Sequence, residues 1–355
     1  VVRHTAREVL AARRDSQGWE EQLRAGLLAF AREVAETPEG ARLALIEAFA
    51  CPSAFARMEH TIGLFETLLA RSFASANDGR EMPPLVVTAI VEGIVQVALA
   101  RLLSDREASL PEEVDGLVRW AASLCDPAAA EVFAATESLA PAGTAPQASG
   151  ANYPPNRLLG DERRMILSVT ARLVAEEGYA ALTMPRIGAA AGLSRRRLES
   201  HFENVNDCFL GVLELLTGRV LANARHAYFS APDWPTGVRL AIASICRELA
   251  EDPALAKFAL SEVFAAGRDA VDWRATLAAN LSSFLHGSAP LEQQLTELEA
   301  EASIGAVGAV LRHYGARDEA KRVWEATQVL SYLVLAPALG ARETADLLRA
   351  EREAA

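Results

Sequence analysis

Residues 194–201 read Ser-Arg-Arg-Arg-Leu-Glu-Ser-His, three adjacent guanidinium groups behind a hydroxyl residue and ahead of an imidazole. A hydroxyl at a helix N-cap followed by arginines on the first turn aims cations at whatever the helix end faces. Guanidinium forks match phosphate oxygens and guanine edges, so the chemistry is nucleic-acid recognition, not bond-breaking. Just upstream, Thr183 can cap a preceding short helix with Pro185 in its first turn, and Arg186 follows. The candidate DNA-contacting residues are therefore Thr183, Arg186, Ser194, Arg195, Arg196, Arg197 and His201. A solvated face would also accept the arginines, and His201 suits a phosphate bond or a packing role beside Phe202 equally well.

Other chemistries lack residues to carry them. His60, His226, His286 and His313 share no ligand spacing, so no metal site is expected. No Gly-rich phosphate loop, G-x-S-x-G or H-E-x-x-H occurs, and neither a cofactor nor an enzyme activity is expected. Cys51, Cys125, Cys208 and Cys246 are scattered and suit reduced, mostly buried thiols.

The arginines need elements to hold them. Residues 161–177 carry an apolar stripe of Met165, Ile166, Val169, Leu173 and Val174, with Asp161 and Glu162 at the positive end of the helix dipole. Gly178 ends that helix, Ile187, Ala190 and Leu193 turn inward on the next, and Gly192 makes the turn before Ser194. Three helices in this arrangement form a helix-turn-helix, whose last helix enters the major groove N-terminus first.

Charge is uneven in a way that suits this. The 355 residues carry 35 Lys and Arg against 47 Asp and Glu, a net charge of −12, yet residues 157–208 hold eight arginines against seven carboxylates. An acidic body with one neutralised end repels DNA except at that end. Lysine occurs only at Lys257 and Lys321. Apolar residues make up 51% and aromatic ones 6%, and no alternating Val/Ile/Thr run suggests strands, so the fold class is all-α. No apolar run is expected to reach the roughly 18–20 residues that span a bilayer, since Glu92, Gln96 and Arg101 interrupt 85–103. A cytoplasmic, non-membrane protein is expected.

The chain also repeats itself. Trp19-Glu-Glu-Gln-Leu-Arg aligns with Trp234-Pro-Thr-Gly-Val-Arg at an offset of 215 residues. At the same offset Arg32-Glu33-Val34-Ala35-Glu36-Thr37-Pro38 falls on Arg247-Glu248-Leu249-Ala250-Glu251-Asp252-Pro253, and Glu47-Ala48-Phe49-Ala50 on Glu262-Val263-Phe264-Ala265. Thr37 and Asp252 can each cap a helix that begins with proline. Further helices are expected near 52–75, 84–104 and 113–125, and near 270–287, 291–313 and 317–335. Residues 140–155, rich in Pro, Gly and Ala, mark a linker.

The segment with Ile166-Leu167, Glu177-Gly178-Tyr179, Thr183, Ile187, Ala191-Gly192-Leu193-Ser194, Leu198 and His201-Phe202 resembles the DNA-binding domain of the TetR family of transcriptional regulators. The resemblance implies a TetR-like helix-turn-helix domain plus two helical-bundle ligand-binding and dimerisation domains. These would be residues 1–136, a linker at 137–158, the helix-turn-helix at 159–210, and the second bundle at 211–355. It implies a DNA-binding transcriptional regulator, a ligand-responsive repressor, whose partners are double-stranded operator DNA and an apolar small-molecule effector. Two helices from each half would make an intrachain pseudo-dimer or a homodimer, and either an upstream helix-turn-helix for the first half lies outside this sequence or a headless copy is fused to a complete one. Glu47, Phe49, Phe65, Glu262, Phe264 and Phe284 are the candidate effector-lining residues, although most such aromatics are simply core and the two glutamates suit paired or capped structural contacts better. Two positions depart from the family. Glu199 stands where a tyrosine usually approaches a phosphate, and Val205 where a lysine commonly starts the next helix. The alternative implied by both is a ligand- or protein-binding module that has lost productive DNA contact.

Overall fold

Alanine- and leucine-rich periods punctuated by Pro and Gly fold as helices throughout. The computed structural model describes residues 18–50, 52–125, 160–260, 263, 266–316 and 320–354, with fifteen α-helices and no strand among them. In chain order they are α1 Trp19–Glu36, α2 Pro38–Leu45, α3 Pro52–Ala76, α4 Pro84–Leu103, α5 Leu110–Ser123, α6 Asp161–Glu177, α7 Met184–Ala191 and α8 Arg195–Glu199. After these come α9 Val205–Phe229, α10 Trp234–Glu251, α11 Pro253–Leu260, α12 Arg268–Ser288, α13 Glu297–Ala316, α14 Thr327–Leu339 and α15 Ala341–Ala354. The linker expected at 137–158 lies outside the described residues.

The sequence-matched stretches take helices of equal length, 18 residues for α1 and α10 and 8 for α2 and α11. Their caps differ. Asp252 Oδ1 accepts from Leu255 N at 3.0 Å, as expected. Thr37 makes no such bond, and its hydroxyl instead donates back to the Glu33 carbonyl at 2.8 Å.

Later helices are offset from expectation. The helix expected at 113–125 starts earlier, at Leu110. That expected at 291–313 begins at Glu297, because Thr296 and Glu299 form a reciprocal capping box, Thr296 N to Glu299 Oε2 at 2.9 Å and Glu299 N to Thr296 Oγ1 at 3.2 Å. The segment 317–335 divides into a 3-10 stretch, Ala320–Ala326, and α14, and α15 was not foreseen.

The described helices group into two units, one from 1–140, 271–310 and 328–355, the other from 141–270 and 311–327. The domain drawn at 211–355 is therefore shared between them, because part of its helices pack with the first half. In the first unit Trp120 is wholly buried and its indole N–H donates to Ser303 Oγ at 3.0 Å. Arg101 bridges Glu113 at 2.8 Å and Glu301 at 2.9 Å. Burial pushes the Glu301 carboxyl above its ordinary value, and the Arg101 charge only partly offsets this. Helix α4 passes close to α13 at Gly93, where a Cβ would sit 2.7 Å from the Ala302 carbonyl oxygen.

Helix α4 also corrects an expectation. Pro84–Leu103 is long and apolar enough to cross a membrane, but 67% of that window is buried. Val86, Ala89, Ile90, Val97 and Ala98 are sealed from solvent, so the helix is apolar all round because it is a core element.

Candidate functional site

The second unit contains the arginine-bearing element. Helix α6 packs against α7 and α9 through Ile166, Leu167, Ile187, Leu198 and Phe202, all buried. The Arg163 guanidinium lies 4.2 Å over the Phe202 ring and also donates to the His201 carbonyl at 3.1 Å. Both contacts fix the end of α8 against α6.

Local sequence sets the two short helices. Thr183 Oγ1 accepts from Arg186 N at 3.3 Å, which caps α7. Gly192 takes the left-handed conformation, φ 66°, which reverses the chain and lets Leu193 N reach the Gly188 carbonyl at 2.9 Å. Ser194 Oγ then accepts from Arg197 N at 3.3 Å and caps α8. The arginines therefore occupy the exposed first turn of the recognition helix.

Their side chains are less available than their positions suggest. Arg195 Nε reaches Glu199 Oε1 at 2.6 Å, one turn along the same helix. Arg197 Nε reaches Glu162 Oε2 at 2.7 Å, and His201 Nε2 lies 2.9 Å from that same oxygen. Arg186 pairs with Glu177 and donates to the Ala181 carbonyl at 3.0 Å. Hydrogen bonds from Arg197, then from His201, hold the Glu162 carboxyl below the ordinary carboxylate range. Among the described residues Arg196 is the arginine of α8 without an ion-pair partner, and it is exposed. The family-atypical Glu199 thus has a local role as the partner of Arg195, while Val205 is the first residue of α9, behind an Asn204 cap.

An aromatic run continues from this head within its unit. Tyr179 meets Phe209 edge-on at 4.9 Å between centroids, and Phe209 stacks on Phe258 at 4.4 Å. Neither ring of this second pair was singled out from sequence as a link, because residues 179, 209 and 258 meet only after folding.

The first unit holds a cavity of about 130 Å³ between α1, α2, α3 and α4. Phe65 lines it with Trp19, Phe30, Met58 and Ile94. The other effector candidates are placed differently. Glu47 and Phe284 are exposed and do not line this cavity, while the Phe49 side chain, Glu262 and Phe264 lie outside the described residues. The lining residue Trp19 opens the repeated segment, but nothing in its spacing showed that it faces a void.

The capped pair α7 and α8, with cations on an exposed first turn, defines a helix-turn-helix DNA-binding protein. Residues 166–212 match the family described as bacterial regulatory proteins, tetR family. The match covers the helix-turn-helix segment, which is similar to the DNA-binding part of those regulatory proteins. No curated protein matches the chain. Two solved structures are similar. The fatty acid degradation regulator FadR from Bacillus halodurans is 18% identical, with 50% of this chain and 96% of that one covered and a TM-score of 0.43. A TetR family transcription regulator from Marinobacter aquaeolei VT8 is 21% identical, with 41% and 94% covered and a TM-score of 0.27. The likeness to the tetR family rests on residues 166–212, not on these two.

Proposed function

We propose that the chain is a ligand-responsive repressor built from tandem TetR-like units that close an intrachain pseudo-dimer. The observation that carries DNA binding is the Ser194-capped recognition helix with Arg196 exposed on its first turn. Ligand response is supported by the apolar cavity of the first unit. Intrachain pairing is supported by the Trp120–Ser303 and Arg101–Glu301 bonds, which join helices from the two halves of the sequence. An effector acts by binding one arrangement of the reading heads better than the DNA-competent one, which shifts the population away from DNA. Function in the cytoplasm follows from this reading.

Salt-titrated binding of the full-length protein to the promoter region of its own gene tests it. The expected result is a specific complex with a steep salt slope, weakened when Arg195, Arg196 and Arg197 become alanine. A second reading, a binding module without productive DNA contact, is favoured by the carboxylate partners of Arg186, Arg195 and Arg197. Absence of any specific complex at low salt decides for that reading.

A further inference from the structure

The lining of the first-unit cavity is chemically one-sided. We infer that it takes a neutral, ring-sized apolar molecule and rejects organic anions, a reading that rests on the cavity being the effector site. Among the described residues no Arg, Lys or His contributes to the lining, in a chain that has 35 Lys and Arg. A carboxylate or phosphate entering would lose its hydration and find no cation to pair with among the described lining residues, and unpaired buried charge is strongly disfavoured.

Glu33 is the ionisable side chain among the described lining residues, and a carboxylate gives an anion no opposite charge to pair with. The neighbouring polar groups are engaged with the protein. Ser72 Oγ donates to Gln22 Oε1 at 2.6 Å, and Thr37 Oγ1 donates to the Glu33 carbonyl at 2.8 Å. These bonds leave an apolar molecule little to displace.

Size points to a single ring. Apolar cavities of roughly 150 Å³ accept benzene, and this one is about 130 Å³. Phe30 and Phe65 stand edge-on in its wall with centroids 6.5 Å apart, a geometry that receives an aromatic guest at either a face or an edge.

The test titrates the complete protein with three probes of matched shape, 2-phenylethanol, phenylacetate and 2-phenylethylammonium, read by calorimetry and tryptophan fluorescence. The expected result is 2-phenylethanol bound at least about tenfold more tightly than phenylacetate, because the anion must give up its hydration without gaining a partner. Glu33→Gln should narrow that gap by about threefold or more, because it replaces a carboxylate by an amide that can donate to an anion and leaves the apolar wall intact. Phenylacetate binding as tightly as 2-phenylethanol overturns the inference, and so does a tenfold preference for the ammonium. An Ala44→Trp variant, which fills the cavity, separates this failure from failure of the site. Loss of all binding in that variant keeps the cavity as the site whichever probe wins. Unchanged binding in a folded Ala44→Trp protein, or no binding of any probe to the native chain, removes the site and the inference with it. Should Ala44→Trp not fold by circular dichroism, the Glu33→Gln gap decides.

Discussion

At the scale of single residues, the reading head spends much of its own positive charge. Arg195 and Arg197 already hold carboxylates, so a phosphate must compete for them, whereas Arg196 offers its guanidinium without that competition. Replacing Arg196 by alanine should cost roughly tenfold in DNA affinity and lower the salt slope by about one, the effect of one lost phosphate or base contact. Arg195→Ala should cost less, since Arg195 must first give up its bond to Glu199 before it can hold a phosphate. Parallel salt titrations of the two variants check the order, and equal losses would show that the ion pair in the free protein does not matter. Glu162 adds a pH dependence. Its folded-state value is depressed, so between that value and the ordinary carboxylate value the unfolded chain binds more protons and stability rises with pH. Its stabilising effect is present above the ordinary value and is lost as pH falls through the folded one. Glu162→Gln should flatten that acid limb in thermal melts and, by freeing Arg197 and His201, raise DNA affinity by roughly threefold, within the range of exposed ion pairs. Unchanged DNA affinity with a flattened limb would confine Glu162 to a structural role.

At the scale of elements, what the sequence exposes is what local chemistry decides. The caps at Thr183, Ser194 and Asp252 were readable because a side-chain oxygen meets a backbone N–H three residues away and needs nothing else. Thr37 was misread because its hydroxyl has a competing acceptor in the preceding turn, the Glu33 carbonyl. The ion pairs that occupy Arg186 and Arg197 join residues 9 and 35 positions apart, so helix patterns could not show them. The same holds for the cavity, whose wall comes from four helices, and for the burial of α4, which composition alone cannot distinguish from a membrane span. Close approach of helices was equally hidden. At Gly93 any side chain meets Trp120 at 2.4 Å and the fixed Ala302 carbonyl at 2.7 Å. Gly93→Ala should therefore destabilise by about 1–3 kcal/mol through overpacking, despite the better helix propensity of alanine. Urea unfolding of the first unit's tryptophan signal measures it, and a stabilised variant would mean that α4 and α13 shift apart without penalty.

At the scale of the whole molecule, the question is whether one chain closes its own helical interface. Arg101 sits between Glu113 and Glu301, one guanidinium serving carboxylates from distant parts of the sequence, and all three side chains are largely buried. A buried ionic group adds little net stability, but removing or reversing one member leaves a charge without its partner, at a cost of about 3–5 kcal/mol for full burial and less here. Such a group therefore discriminates between pairings better than it stabilises any one of them. If helices α4 and α5 are satisfied by α13 of the same chain, the protein in solution should have the mass of a single chain and keep it on dilution. Glu301→Arg would set two guanidinium groups against each other, loosen that contact and uncover the apolar faces around Trp120, so the variant should form concentration-dependent dimers and melt lower. Sedimentation equilibrium of both proteins over a hundredfold range of concentration reads the outcome directly. A native chain that is already a stable dimer, with Glu301→Arg leaving its mass and melting unchanged, would place the pairing surface elsewhere on the molecule.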